Sequence, residues 1–240
     1  RLFRDNLKLT LQYCPNYGWA ANLLAREMEK QPNADPERLA RLRRVLYRYQ
    51  PSDFYDAYIV PATTNLDHRL YDKAADLYEK ILAVDPENEK WLGATGYAEF
   101  MAGNWTRSRQ RLDTLNRLNP RALYETGGSL LLFIMDEQWW DALVDMTHIP
   151  ADTDQLRAEM RALEIELQER CKGRDLSYGT FYPRPDGIDE ATWNARVQEN
   201  RPWALLHYMR DPEAARVAFE QRLTLDGPPE RLFWITGVKI

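Results

Sequence analysis

The chain has 240 residues, 44% apolar and 29% charged, with a formal net charge of −5; this suffices for a packed core, and the acidic balance argues against a nucleic-acid binder, which presents a basic face. No apolar run approaches the roughly 18–20 residues that span a bilayer. The two cysteines, Cys14 and Cys171, have no CxxC spacing nearby, which excludes a zinc site and leaves either a buried thiol or a long-range disulfide at Cys171.

The first residue is Arg, not Met, so the sequence reads as a processed or excised fragment, and the lack of a leader within it carries no information. Residues 2–12 form a short amphipathic pattern that ends near Cys14-Pro15. A second helix is expected after Asn16, as its cap, running to about Lys30. Asp35-Pro36-Glu37 is a start signal: a capping acid, a proline whose missing donor is harmless in the first turn, and an acid at the positive helix end. The helix that follows carries Leu39, Leu42, Val45, Leu46 and Tyr49 at helical spacing, with Arg41, Arg43, Arg44 and Arg48 expected on a solvated face. Pro61 should kink or break the next helix.

From here the chain repeats itself. Tyr71 and Trp105 are 34 residues apart, as are Ala74 and Ser108, Tyr78 and Leu112, Ile81 and Leu115, and Pro86 and Pro120. A period of this length marks an array of helix pairs, each burying a face that it cannot bury alone. Gly96 is expected where paired helices touch, and Gly103 in the turn between them. Trp139 and Ala142 continue the period into a fourth unit, which Pro150 stops early. A long helix is expected over 153–172, capped by Asp152, stopped by Gly173 and striped by Leu156, Met160, Leu163, Leu167 and Cys171. Residues 174–188 form an irregular stretch whose Tyr178, Phe181 and Tyr182 predict an ordered loop laid on the array. Helices over 189–199, with Asp189 as cap, and 202–209 follow, then a repeat-like helix over 211–225, a turn at 226–229 and an apolar tail, Phe233 to Ile240.

The spacing Ala74-x3-Tyr78 followed by Pro86, and Ser108-x3-Leu112 followed by Pro120, resembles the tetratricopeptide repeat family. Departures are Leu92 and Glu99, where that family often has Trp and Tyr. The resemblance implies an all-α, right-handed superhelical solenoid with an irregular C-terminal part. It divides into N-terminal helices with a diverged repeat (1–51), a regular array (52–150) and C-terminal helices with a possible last repeat at 196–229. In that family the first helix of each pair lines a concave groove, which here would hold Ile59, Thr63, Tyr97, Phe100, Met101, Leu131, Ile134 and Met135, an apolar surface suited to an amphipathic helix or extended segment. Whether helix 153–172 fills this groove itself is left open by its matching stripe. Members that grip a partner's C-terminal carboxylate use Lys, Asn and Arg on these faces; here Ile59, Thr63, Ala94, Tyr124 and Gly128 stand there, none of them basic.

His68, His148 and His207 stand alone, with no second ligand at helical spacing, and no nucleophile or phosphate-loop motif occurs. The expected function is therefore a non-enzymatic scaffold for a protein or peptide partner, in assembly or adaptor work at the bacterial cell envelope, with no cofactor, no nucleic acid, and membrane contact only through residues outside this sequence. A periplasmic or membrane-associated location is favoured over a cytoplasmic one. An alternative comes from Phe3, Asp5, Pro15, Asn16, Trp19, Asn22 and Leu23. They are similar to the junction that precedes the repeats of protein O-mannosyltransferase-type membrane glycosyltransferases. That resemblance implies an extracytoplasmic domain that positions acceptor protein.

Overall fold

The computed structural model describes residues 2–177, 184 and 187–225, and every regular element among them is a helix. In chain order these are α1 (Leu2–Tyr13), α2 (Gly18–Glu29), α3 (Pro36–Tyr49), α4 (Pro51–Phe54), a π-helical turn (Tyr55–Ile59), α5 (Val60–Asp67), α6 (Tyr71–Leu82), α7 (Glu89–Met101) and α8 (Trp105–Leu118). They continue as α9 (Pro120–Glu125), α10 (Gly128–Met135), α11 (Trp139–Met146), α12 (Asp154–Cys171), α13 (Glu190–Glu199), α14 (Arg201–His207) and α15 (Pro212–Leu225). The chain divides into two compact units, 1–128 and 129–240, and the division falls within the 52–150 stretch.

Helix starts follow local chemistry. Asp35 accepts from the Glu37 backbone N–H at 3.0 Å and Pro36 occupies the first turn; Asp189 accepts from Thr192 N–H at 2.9 Å. Two expected caps are displaced. The residue before α2 is Tyr17, with no side-chain cap, so Asn16 lies one position too early. Thr153, not Asp152, caps α12: its backbone is extended (φ −112°, ψ 154°), which brings its hydroxyl within 3.1 Å of Leu156 N–H. Pro61 does not break its helix. The π-helical turn directly before it, closed by Val60 N–H to Tyr55 C=O, widens the coil where the ring would otherwise press on the preceding turn.

The 34-residue period reappears as backbone geometry. Arg69, Gly103 and Glu137 each adopt a left-handed conformation, with φ of 58°, 80° and 56°. The residue after each donates its N–H to the carbonyl five positions back: Leu70 to Asn65 (2.8 Å), Asn104 to Glu99 (2.8 Å) and Gln138 to Phe133 (2.9 Å). Each of the three residues itself donates to the carbonyl three back. This is one helix-ending turn built three times, and α6, α8 and α11 start two residues after it each time.

Within the first unit, helices pack chiefly on their sequence neighbours: α1 on α2, α2 on α3, α5 on α6, α6 on α7, α7 on α8 and α8 on α9. One core cluster joins Leu7, Leu24, Ala25, Met28 and Leu39, and a second joins Leu46, Phe54, Tyr58, Ala74, Tyr78 and Ile81. Gly96 allows α7 and α8 to close on each other, since a methyl group there would lie 2.5 Å from Leu112 Cδ2, and Ser108 Oγ donates to the Gly96 carbonyl at 2.8 Å. In the second unit α11 packs on α12 and α14 on α15. The stripe of α12, through Met160, Leu163, Leu167 and Cys171, is spent on a core with Leu130, Phe133, Trp140 and Leu143.

The repeated turn gives substitutions of opposite sign at equivalent positions. A methyl group on Gly103 would meet nothing, so the cost of Gly103→Ala is conformational alone. It should destabilise by about 1 kcal/mol, whereas Arg69→Gly and Glu137→Gly should each be neutral or stabilising by up to about 1 kcal/mol. Urea unfolding of the three variants measures both signs.

Candidate functional site

The residues expected to line a groove are dealt between the two units. In the first, Ile59 is buried in the core with Phe54 and Tyr58, and Thr63 is exposed, its hydroxyl donating to the Ile59 carbonyl at 3.0 Å. Tyr97 and Met101, one turn apart on α7, are 39% and 42% exposed, and Phe100 is half-buried. In the second unit Leu131 is buried, while Ile134 and Met135 are half-buried, Ile134 against the cluster that also holds the α12 stripe.

What α7 presents with its neighbours is an aromatic strip. Tyr97 meets Tyr71 edge to face at 6.3 Å between ring centroids, and Phe100 stacks on Trp105 at 6.3 Å with 16° between planes. Trp105 is 60% exposed although it opens α8 directly beside a buried helix contact. Tyr71 and Trp105 are both the first residues of their helices, set there by the left-handed turn that precedes each. Sequence reasoning singled out this pair as period markers and missed Trp105 as surface. The period by itself could not have shown this, because Trp139 opens α11 after the same turn and is only 7% exposed.

On α3, Arg41, Arg44 and Arg48 are exposed, as expected of a solvated face, and Arg43 is the correction. Arg43 is only 3% exposed, ion-paired to Glu29, which Lys80 also approaches at 3.3 Å. Its Nε donates to Tyr58 Oη at 3.3 Å, and Tyr58 Oη donates to Asn22 Oδ1 at 2.6 Å. Arg44 donates to the carbonyls of Ala83 and Val84 at 3.1 and 3.3 Å. These cations tie α3 to α2, to the π-helical turn and to the end of α6. Burying a charge is tolerable only with such partners, and the small Ala20, Ala21 and Ala25 of α2 leave the room for one.

Two groups able to do chemistry, Asp145 and Cys171, are shifted by burial. Burial pushes the Asp145 carboxyl above its usual range, against the hydrogen bond from Ser129 Oγ at 2.5 Å and the charge of His148. A cleft of about 970 Å³ in the second unit is bordered by Trp140, Cys171, Arg201 and Val217. Burial pushes the Cys171 thiol up to about 12, so it is no thiolate at neutral pH. Basic groups around the cleft are already paired: Arg201 with Asp175 at 3.4 Å, Arg210 with Glu164 at 2.9 Å, and Lys172 with Glu169 at 2.5 Å. Cys14 is exposed, and both cysteines are free thiols. Among the described residues no three His, Cys, Asp or Glu side chains cluster as metal ligands, and no helix is long and apolar enough to cross a membrane.

Of the irregular stretch after α12, residues 174–177 are fixed: Leu176 is buried, Gln198 Nε2 donates to its carbonyl at 2.6 Å, and Ser177 Oγ donates to Asp141 Oδ2 at 3.2 Å. Tyr178, Phe181 and Tyr182, the turn at 226–229 and the tail from Phe233 lie outside the described residues. No protein-family model matches this sequence, and no curated protein matches it either.

Two substitutions test the buried polar groups. Tyr58→Phe removes a donor to Asn22 and an acceptor from Arg43 together, and should cost about 1–3 kcal/mol in a denaturant titration. Asp145 has a folded-state pKa above its unfolded one, so its stabilising contribution is present below pH about 4 and is lost as pH rises through the folded value. Asp145→Asn keeps an acceptor for Ser129; the variant should gain stability over wild type at pH 7, and that gain should shrink as pH falls toward 4.

Proposed function

We propose that the chain is a tetratricopeptide-like solenoid that acts as a non-enzymatic scaffold, holding a protein or peptide partner at the bacterial cell envelope. The observation that carries this reading is the exposed strip of Tyr97, Met101 and Trp105, backed by the half-buried Tyr71 and Phe100. Helices that pack on their sequence neighbours, with one turn recurring at that period, are what a stacked array requires. Exposed Trp and Tyr beside Met offer large contact area at low entropic cost, as partner-binding surfaces do. The buried acids and the high-pKa thiol give catalysis no support in these residues.

A second reading, the extracytoplasmic domain of a membrane glycosyltransferase that positions acceptor protein, is favoured by Asn22. This residue of the N-terminal pattern is fully buried and hydrogen-bonded to Tyr58, while Phe3, Asp5, Pro15, Asn16, Trp19 and Leu23 are exposed, so the packing supports the resemblance at that one position.

A photo-crosslinking residue at Met101 in cells identifies what covers the strip. The captured partner, purified, should bind Tyr97→Ala/Trp105→Ala at least tenfold more weakly than wild type by calorimetry, with the helical circular dichroism unchanged. Equal binding by the variant removes the strip from the account.

A further inference from the structure

A pocket of about 310 Å³ in the second unit is bordered by α11 and the turn after it, by α13, and by Tyr208 just past α14. Its most buried members, Val144 and Val197, are apolar. Trp193 and Tyr208 pack on the core cluster of the unit and also border the pocket. Helical spacing on α13 sets Arg196 one turn after Trp193 and Asn200 one turn after Arg196, where Asn200 Nδ2 donates to the Arg196 carbonyl at 3.2 Å. His148, one turn beyond Val144, completes the rim.

The polar groups left over around this pocket are mainly donors. Arg196 is exposed, and its guanidinium meets no carboxylate or carbonyl among the described residues. The other arginines from α13 to α15 each reach an acid: Arg201 that of Asp175, Arg210 that of Glu164, Arg216 that of Glu213 and Arg222 that of Glu199. Glu199 stands three residues after Arg196, within its reach on the helix, but it is taken by Arg222, whose Nη1 also donates to the Glu199 carbonyl at 2.6 Å. The Trp193 indole N–H and the Tyr208 hydroxyl likewise have no protein partner among the described residues. Free donors beside an apolar wall suit a ligand that brings acceptors, and because one donor is a cation, charge-assisted bonds favour an anion. The volume stands at the lower end of ligand sites, which start at roughly 300 Å³, so it admits a single ring with a short acidic arm. We propose that this pocket binds a small organic anion, its planar apolar ring against Trp193 and Tyr208 and its carboxylate or phosphate on Arg196. The site belongs to the second unit and is separate from the partner-binding strip of the first.

The test uses the full chain, isotope-labelled at the tryptophan indole nitrogens, and four probes: phenylacetate, phenyl phosphate, phenylacetamide and acetate. The indole signal that disappears in Trp193→Phe should move with phenylacetate or phenyl phosphate and saturate with a Kd at or below about 10 mM. The signals of Trp19, Trp91 and Trp105, in the first unit, should stay in place. Phenylacetamide keeps the ring without the charge and acetate keeps the charge without the ring; each should bind at least about tenfold more weakly. The tighter of the two ring anions tells whether the arm is a carboxylate or a phosphate. Arg196→Gln changes an exposed position and should weaken binding by at least about tenfold at unchanged circular dichroism. Arg38→Gln, at an exposed arginine of α3, should bind like wild type. No saturation by either ring anion, equal binding of the amide, an Arg196→Gln variant that binds like wild type, or the same weakening by Arg38→Gln overturns the proposal.

Discussion

A helix that must reverse within two or three residues has to place one of them in the left-handed region, and three of the connections here solve that problem identically. The residue after the turn donates back five positions, which satisfies a carbonyl that the helix end would leave bare. Once that reversal is fixed, the apolar face of the next helix can bury against the last, as α6 does on α5 and α8 on α7. Only one of the three positions is glycine. At Arg69 and Glu137 an L-residue bears the conformational cost, so the surrounding packing outweighs about 1 kcal/mol of backbone preference at each. The turn is a geometric requirement first and a sequence motif second.

Packing around that frame is uneven in an informative way. α7 and α8 approach through Gly96, with a serine hydroxyl bonded to the glycine carbonyl, so the contact is close and its one polar group is satisfied. α2 and α3 meet instead around Arg43, whose charge is met by Glu29 and whose remaining donor reaches Tyr58. Apolar contacts tolerate sliding; a buried guanidinium with fixed partners does not. The polar cluster thus sets register where α2, with Ala20, Ala21 and Ala25 facing inward, offers few knobs to set it by shape.

Function, on this account, rests on side chains that the frame holds but does not cover. Tyr71 and Trp105 open helices, so each ring has protein on one side and water on the other. Tyr97 and Phe100 steady them from α7 without burying them. Rigidity there is supplied by the core, so an incoming partner orders little that is not already ordered.

The sequence by itself determined the helical class, the 34-residue period, most helix ends and the roles of Gly96, Gly103, Asp35 and Asp189, because these depend on local propensity, capping and spacing. It missed by one residue at Asn16 and Asp152, since a cap is chosen by backbone angle: at α12 two capping residues stand side by side, and at α2 the position falls on Tyr17, which makes no side-chain cap. It predicted a kink or a break at Pro61; the helix is distorted there into a widened π-helical turn and not broken. Only tertiary structure decided which apolar residues face water: Ile59 and Tyr97 look alike in a periodic pattern, yet one is buried and the other is half open. Only tertiary structure could bury Arg43, because a charge goes inside when distant residues, here Glu29 and Tyr58, converge on it, and no local pattern records that convergence.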